Sequence, residues 1–463
     1  MTVKINQQYR IYPYAQQVQK LNEWLRICRY LYNRWLGQCL DWWERNRCPV
    51  NACPLVCHLP ELADNPYFAD LKKQLPGLKK DLVGVKWSGE LLDLSSVYST
   101  VLQDVYTSRL KKAMDRFIQG DKNGKRSGKP RFKTQANYRS FKFPQADSNW
   151  IDTENHVLKL PFIGGIQIRL HRPLPDGFTL KTVQVIKKAD GWYVNLCVED
   201  PIVPEFKPDS IIPTWDNSIG LDAVLHGDDY FATSDGEKLP SVKNYRKAEA
   251  RLNKIKSRPL SAKRGSKSRR RLAKRVAKSE QRIARARKDH AYKIAHRLVR
   301  TEKKVFFHED LDLKNLTKRN KAKIDETGKF LPNGQSAKAG LNKSWQDAAF
   351  GQSFQILEYI AGKAGARVIA VNPANTSQFL AYRDEKVFTD CSIREYWDDL
   401  EKLWVDRDIN AAINLKRVEL DVFPTINRRS GKITSSRTHS TAMEVLRSLR
   451  GFEKPTLYAQ ASV

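Results

Sequence analysis

Three acidic residues stand where the surrounding pattern ends a strand or opens a helix. Asp222 lies inside the apolar run SIGLDAVLHG, and Glu309 directly follows VFFH. Asp408 lies in DRDINAAINL, where Ala411, Ala412, Ile413 and Leu415 mark a helix's packing side. A carboxylate within or beside a buried strand is costly without a compensating partner. Divalent cations are a natural partner, because hard ions of this kind take oxygen ligands. Two of them ~3.5–4 Å apart can activate a water and stabilise the leaving oxygen of an in-line phosphodiester attack. Taken singly, each acid reads more simply as a strand-end surface charge or a helix cap. Spacing alone does not bring the three together.

A second set of residues suits phosphate. The 463-residue chain carries 82 Lys plus Arg against 51 Asp plus Glu, a net charge of +31. A compact fold with that excess repels itself unless a polyanion neutralises it, and nucleic acid is the obvious one. A membrane-surface binder would gather its cations on one amphipathic segment, whereas here they run from Arg10 to Arg450. The densest stretch, KRGSKSRRRLAKRVAKSEQRIARARKDH, sets Leu272, Val276, Ile283, Ile294 and Leu298 on one helical stripe and leaves the rest basic. Like charges at i,i+4 destabilise a helix, and a phosphate backbone removes that penalty. Lys263, Arg264, Lys267, Arg269, Arg270 and Arg271 are the candidate contacts here; they position rather than specify. In GKRSGKPRFKTQANYRSFKF, Lys129, Arg131, Lys133 and Arg139 interleave with Phe132, Tyr138, Phe141 and Phe143. Rings so placed either stack on unpaired bases or fill a barrel core, and both readings stay open.

The elements that would hold these residues can be read from periodicity. Residues 3–12 alternate as a strand. Ala15 to about Arg45 is helical, with Leu21, Leu25, Cys28, Tyr32 and Leu36 at spacings of four and three. Leu91–Ile118 reads as one further amphipathic helix on Val97, Val101, Val105, Leu110, Ala113 and Phe117, so residues 13–118 look all-helical. Short β runs follow at Phe141–Phe143, His156–Leu160, Ile166–Leu170, Leu180–Lys187 and Trp192–Val198, punctuated by turn dipeptides. They suggest a small barrel or sandwich that the first strand joins. Pro-rich residues 201–213 read as a linker. An α/β pattern follows: strand Ser218–Val224, a second strand, a long basic helical stretch Val242–Arg300 broken near Pro259, strand Lys304–His308, helix Ser344–Ala364, strand Ala366–Val371 and a last helix from Asp408. The last ~40 residues, rich in Ser, Thr and Arg, read as partly disordered.

The seven cysteines, an odd number, suggest no disulfide framework. Cys28, Cys39 and Cys197 read as small core residues. Cys48, Cys53, Cys57 and His58 lie within eleven positions, but without a standard metal-knuckle spacing, and ordinary packing is the preferred reading. No apolar run approaches the roughly 20 residues of a membrane span.

In order and separation, several motifs resemble the TnpB family, transposon-encoded relatives of type V CRISPR effectors. These are LNEWLRICRYLYNRWL, KPRFK with YRSFKFP, IGLDAVLHGDDYFATSDGEKLP, HEDLDLKNL, and NPANTSQ with DRDINAAINL. The resemblance implies a multidomain α+β and α/β chain. Its parts would be a β-barrel wedge domain (1–12 and 119–212), a helical recognition insertion (13–118), an RNase H-like (RuvC) nuclease domain (213–418) and a basic tail (419–463). It also implies an RNA-guided DNA endonuclease in which Asp222, Glu309 and Asp408 hold Mg²⁺, with Mn²⁺ able to substitute. Asp406, two residues earlier, is the rival for the third place; Asp408 is preferred because it directly precedes the INAAIN helix. Guide RNA, double-stranded target DNA and its displaced strand would be the partners, with no membrane involved and a cytoplasmic, nucleoid-associated location. A short flanking motif would be read by the protein and the remaining sequence by base pairing. One departure stands out. Where the family carries two C-x-x-C pairs that would bind zinc, the interval Phe379–Val405 holds only Cys391 and no histidine. No zinc is expected there, and REYWDDLEKLW reads as a short helix instead. The departure motivates a second reading, an RNA-guided DNA-binding repressor with weak or no cleavage.

Overall fold

A computed structural model of the chain describes residues 2–45, 65–66, 68–85, 88–121, 124–204, 206–383, 385–387, 392–420, 422–426, 433–434 and 440–449. Cys48, Cys53, Cys57, His58 and Cys391 lie outside the described residues. The chain divides into two compact units, residues 1–205 and 206–463. No helix among the described residues is long and apolar enough to cross a membrane.

In the first unit, β1 (Thr2–Tyr12) leads into α1 (Ala15–Arg45), α2 (Phe68–Lys80) and the two-residue strands β2 (Val83–Gly84) and β3 (Leu91–Leu92). Then come α3 (Ser99–Asp104), a π-helical stretch Val105–Leu110 and α4 (Lys111–Ile118). The expected single helix from Leu91 therefore begins only at Ser99 and contains a π segment. Val101, Val105 and Leu110 are all buried. The five-residue step from Val105 to Leu110 needs the wider i→i+5 turn to keep both on the core side.

Strands β4 (Ser140–Phe143), β5 (Ile151–Asp152), β6 (Val157–Leu160), β7 (Gly164–Arg169), β8 (Thr179–Lys188) and β9 (Gly191–Pro204) join β1 in one sheet of order β4-β8-β9-β1-β7-β6-β5. Among the described residues its end strands β4 and β5 pair with no further strand, so it is a half-barrel and not a closed barrel. The expected linker starts late, because β9 continues to Pro204. Trp24 of α1 packs on Phe141 and Phe143 of β4, with ring centroids 5.3 and 5.9 Å apart. Helices and sheet thus share one continuous core. Cys28 and Cys39 lie in it as small apolar groups, and burial pushes the Cys28 thiol up to about 12.

The second unit is built on strands β10 (Ser218–Ala223), β11 (Asp229–Thr233), β12 (Lys238–Pro240), β13 (Val305–Glu309) and β16 (Arg367–Val371). Their order is β12-β11-β10-β13-β16, with β10, β13 and β16 parallel and β11 and β12 antiparallel. Between β12 and β13 run α5 (Asn244–Ser261) and α6 (Lys267–Val299). The helix passes through Pro259, and the break falls at 262–266. Between β13 and β16 lie α7 (Leu313–Leu316), the hairpin β14 (Lys323–Ile324) with β15 (Phe330–Leu331), α8 (Gln335–Ala348) and α9 (Phe350–Lys363). The one helix expected over Ser344–Ala364 is thus two. Ala349, at φ 53°, breaks them, and the break lets Phe350 stack on Tyr230 at 5.0 Å.

Residues 395–406 form a hairpin rather than the expected helix: β17 (Glu395–Asp398) pairs antiparallel with β18 (Leu403–Asp406). Alternation explains it. Trp397 and Trp404 face each other at 5.8 Å on one side, while Asp398, Leu403 and Val405 are buried. Helix α10 (Arg407–Glu419) follows at once, and α11 (Ser440–Leu449) buries Ala442 and Leu446 on the same cluster as Leu403, Val405 and Ile409. Residues 440–449 are therefore ordered structure within the region expected to be a partly disordered tail.

Candidate carboxylate centre and nucleic-acid surface

Asp222 and Glu309 stand on neighbouring parallel strands. Leu221 is opposite His308, so the next positions are Asp222 and Glu309. Asp408 reaches them from the first turn of α10. What allows that helix so close is Gly220, at which an added methyl would stand 2.0 Å from the Ala412 carbonyl oxygen. Asp222 is 7% exposed and Asp408 5%. Burial, then the charges of Glu309 and Asp408, hold Asp222 well above the usual carboxylate range, while Arg407 opposes this. Burial likewise raises Glu309, which accepts from the Ala223 backbone N–H and from the Asp222 carboxyl. Like charges gathered beside one another in a buried site disfavour the ionised forms, which is the cause of both shifts.

The structure separates Asp406 from Asp408. Asp406 caps α10, accepting from the backbone N–H of Asp408 (3.0 Å) and Ile409 (3.1 Å), and pairs with Lys238 at 2.6 Å. Its oxygens serve the fold. Asp408 instead accepts from Arg394, whose Nη1 lies 2.8 Å from its Oδ1. Among the described residues, no three His, Cys, Asp or Glu side chains are grouped tightly enough to hold an ion as they stand. The sequence reading did not find Arg394: one cation among 82 carries no local signal, and only the hairpin brings it to Asp408.

The remaining residues of DRDINAAINLKR are structural. Asn410 accepts from Ala381 N–H (2.8 Å) and donates to Phe379 O (2.7 Å). Asn414 donates to Thr376 O (2.8 Å) and Phe379 O (2.6 Å). Arg417, fully buried, donates to Leu380 O (3.2 Å) and Val422 O (3.1 Å). Asparagines four apart on one helical face thus clip the 376–381 loop onto α10. The i,i+4 spacing was the signal that would have revealed it.

The basic candidates divide by unit. In the second, Lys263 and Arg264 are exposed on the turn between α5 and α6, and Lys267, Arg270 and Arg271 are exposed in the first turn of α6. Arg269 is half-buried and donates to Ala262 O at 3.1 Å. Cations at a helix N-terminus oppose its dipole, a cost that a bound polyanion offsets. The expected packing stripe is deep only in the second half of α6: Ile283, Ala291, Ile294 and Leu298 are buried, whereas Leu272 and Val276 are half-buried. In the first unit, Arg131 and Arg139 are exposed, Lys129 pairs with Glu44, and Lys133 sits over the Tyr32 ring at 5.9 Å. Tyr138, Phe141 and Phe143 are core residues, which closes the stacking reading for them; Phe132 is 57% exposed.

Fold and site together define a mixed α/β protein, strongly basic overall, in which Asp222 and Asp408 are buried and Glu309 half-buried. Residues 1–48 match a family model described as "Helix-turn-helix domain", residues 216–320 one described as "Probable transposase", and residues 350–415 one described as "Cas12f1-like, TNB domain". These matches agree with the resemblance to the TnpB family. Residues 2–45 form a strand and a single helix rather than a helix-turn-helix. The chain is 27% identical over 260 residues to the "Putative RNA-guided DNA endonuclease InsQ" of Escherichia coli (strain K12), an alignment spanning 56% of this chain and 60% of that relative. Among solved structures it resembles a Cas12f1–sgRNA–target DNA complex (TM-score 0.49, 11% identity, 90% of this chain and 99% of that one). It also resembles a CRISPR-Cas12f ternary complex (TM-score 0.31, 15% identity, 87% and 82%).

Proposed function

We propose that this chain is an RNA-guided DNA endonuclease with an RNase H-like (RuvC) catalytic unit. The observation that carries the reading is that Asp222, Glu309 and Asp408, three acids from separate segments, stand near enough for their charges to act on one another. The order β12-β11-β10-β13-β16 supports the RNase H-like assignment, and the name of the InsQ relative supports the reaction class and the guide. Guide RNA, target DNA and its displaced strand are the partners on this reading, held through the cations of the α5–α6 turn and of residues 129–139.

The all-oxygen donor set of the three acids fits Mg²⁺ or Mn²⁺. When bound, the metal supplies a nucleophilic water at neutral pH and a counter-charge for the leaving oxygen. The chain's own residues do the rest. Asp222 and Glu309 would serve as ligands in their ionised forms, which a bound cation favours against their burial. Ala223 N–H holds Glu309 in place. Arg394 balances Asp408 and carries a cation to where phosphate charge develops. A second reading, a guide-directed DNA binder with little cleavage, is favoured by the same Arg394–Asp408 pair, which competes for a ligand oxygen.

A supercoiled plasmid carrying a target matched to the copurifying RNA distinguishes the two in Mg²⁺. Nicked or linear product that disappears with Asp222→Ala, at unchanged RNA binding, is the expected result. Full-rate cutting by that variant refutes the site, and protection without nicking supports the binder.

A further inference from the structure

We propose that Asp398 is a positioning residue: it locks the β17–β18 hairpin in place so that Arg394 is delivered to Asp408. Its activity readout rests on the nuclease reading above.

A hairpin of four-residue strands is marginal by itself in water, so something must hold it. Asp398, 7% exposed, accepts three hydrogen bonds and makes one ion pair. Its Oδ2 takes Tyr382 Oη at 2.6 Å and Arg383 Nη2 at 3.2 Å. Its Oδ1 takes the backbone N–H of Leu400 at 2.9 Å and of Glu401 at 3.3 Å. Burial pushes this carboxyl up, but the bonds from Tyr382, Leu400 and Glu401 outweigh it and hold the group below its ordinary value. One anion therefore ties the hairpin turn to residues 382–383. That segment directly follows the loop clipped to α10 by Asn410, Asn414 and Arg417. At the hairpin's open end, Arg407 N–H donates to Arg394 O at 2.9 Å.

These contacts close a circuit: α10 to its loop, loop to Asp398, Asp398 along β17 to Arg394, and Arg394 back to Asp408 on α10. With the turn released, the hairpin keeps its ladder, the burial of Leu403 and Val405 and the Arg407–Arg394 backbone bond, but loses the Asp398 tie to residues 382–383. The described residues of 379–406 include neither cysteine nor histidine. The staple is thus built from a carboxylate and its donors.

The test uses the full chain loaded with guide RNA, as wild type, Asp398→Ala, Arg394→Ala and the double variant. Cleavage is read against a matched plasmid, and hydrogen exchange is followed over residues 395–408. Asp398→Ala is expected to cut about tenfold more slowly with RNA binding within about twofold, because a loosened guanidinium no longer presents one geometry. The double variant should cut no more slowly than Arg394→Ala alone, since both lesions remove one function. Exchange over 395–408 should rise in Asp398→Ala. Asp398→Asn, which keeps an acceptor for the turn amides, should recover part of the rate and stands in if the alanine variant does not fold. A zinc-selective chelator in excess Mg²⁺ should leave wild-type cleavage unchanged. Multiplicative losses in the double variant, unchanged exchange, or chelator inhibition each overturn the proposal. If the wild type cuts no target, the nuclease reading fails, and the exchange result alone decides the role of Asp398.

Discussion

Gly220→Ala should separate the acids without touching one of them. The added methyl would lie 2.0 Å from the Ala412 carbonyl oxygen and 3.1 Å from its carbon. Carbon–oxygen contacts settle near 3.3 Å, so α10 must retreat by roughly 1.3 Å from β10. Ala412 O is helix backbone and cannot swing aside as a side chain would. Overpacking of this kind costs about 1–3 kcal/mol, or roughly 2–4 °C in Tm per kcal/mol for a unit of this size. The larger effect is on geometry. Asp222 lies two residues along β10 and Asp408 one turn before Ala412, so the retreat widens the gap between them. A misplacement of about 1 Å can cost on the order of 100-fold in rate. Plasmid cleavage by guide-loaded protein and a thermal melt read both effects. Gly362→Ala, where the new methyl meets nothing within 4 Å, is the control and should match wild type. A Gly220→Ala protein that cuts and melts like wild type would refute the account of how the acids are brought together.

Asp406→Ala should lower stability by ~1–2 kcal/mol through the lost cap yet retain measurable cleavage, whereas Asp408→Ala should abolish it; equal loss in a time course would return Asp406 to the site. Replacing Lys267, Arg270 and Arg271 by Gln should weaken DNA binding across sequences alike and flatten the slope of log K against log salt by up to about 2–3; an unchanged slope would mean that these cations face water. Lys416 is buried over the Trp215 ring at 4.3 Å, and desolvation lowers it from 10.5 to about 8. Its folded pKa lies below its unfolded one, so the penalty is full below pH 8 and fades as pH rises to 10.5. Denaturant melts of wild type should therefore gain on those of Lys416→Met by about 3 kcal/mol across that window; parallel curves would show that the ammonium is solvated.

The acids were legible in the sequence as candidates because a charge inside an apolar run is locally anomalous; that Asp222 and Glu309 stand on neighbouring strands was not, since it depends on the pairing of β10 with β13. The step of five from Val105 to Leu110 was visible too, but reads as helix to an eye set for three and four. The hairpin at 395–406 was not legible. Its alternating charges also fit helical i,i+4 pairs, and its strand form is chosen by contacts far along the chain, Tyr382 and Arg383 on Asp398. Arg394 was invisible for the same reason, since its partner is made by the fold. The half-barrel is legible only as a small barrel or sandwich, because alternation shows which face is buried and not whether the last strand meets the first.

The α5–α6 pair has a consequence for how such proteins can change length. Its outer part is held chiefly by the two helices on each other, with Lys256 and Glu280 bridging them at 3.0 Å, and deep burial begins only at Ile283. Whole turns can be trimmed from both helices together, shortening the reach along a polyanion while the strands below stay untouched. Grip and chemistry are therefore separately adjustable, and a shortened arm should yield a weaker holder that is still a competent cutter.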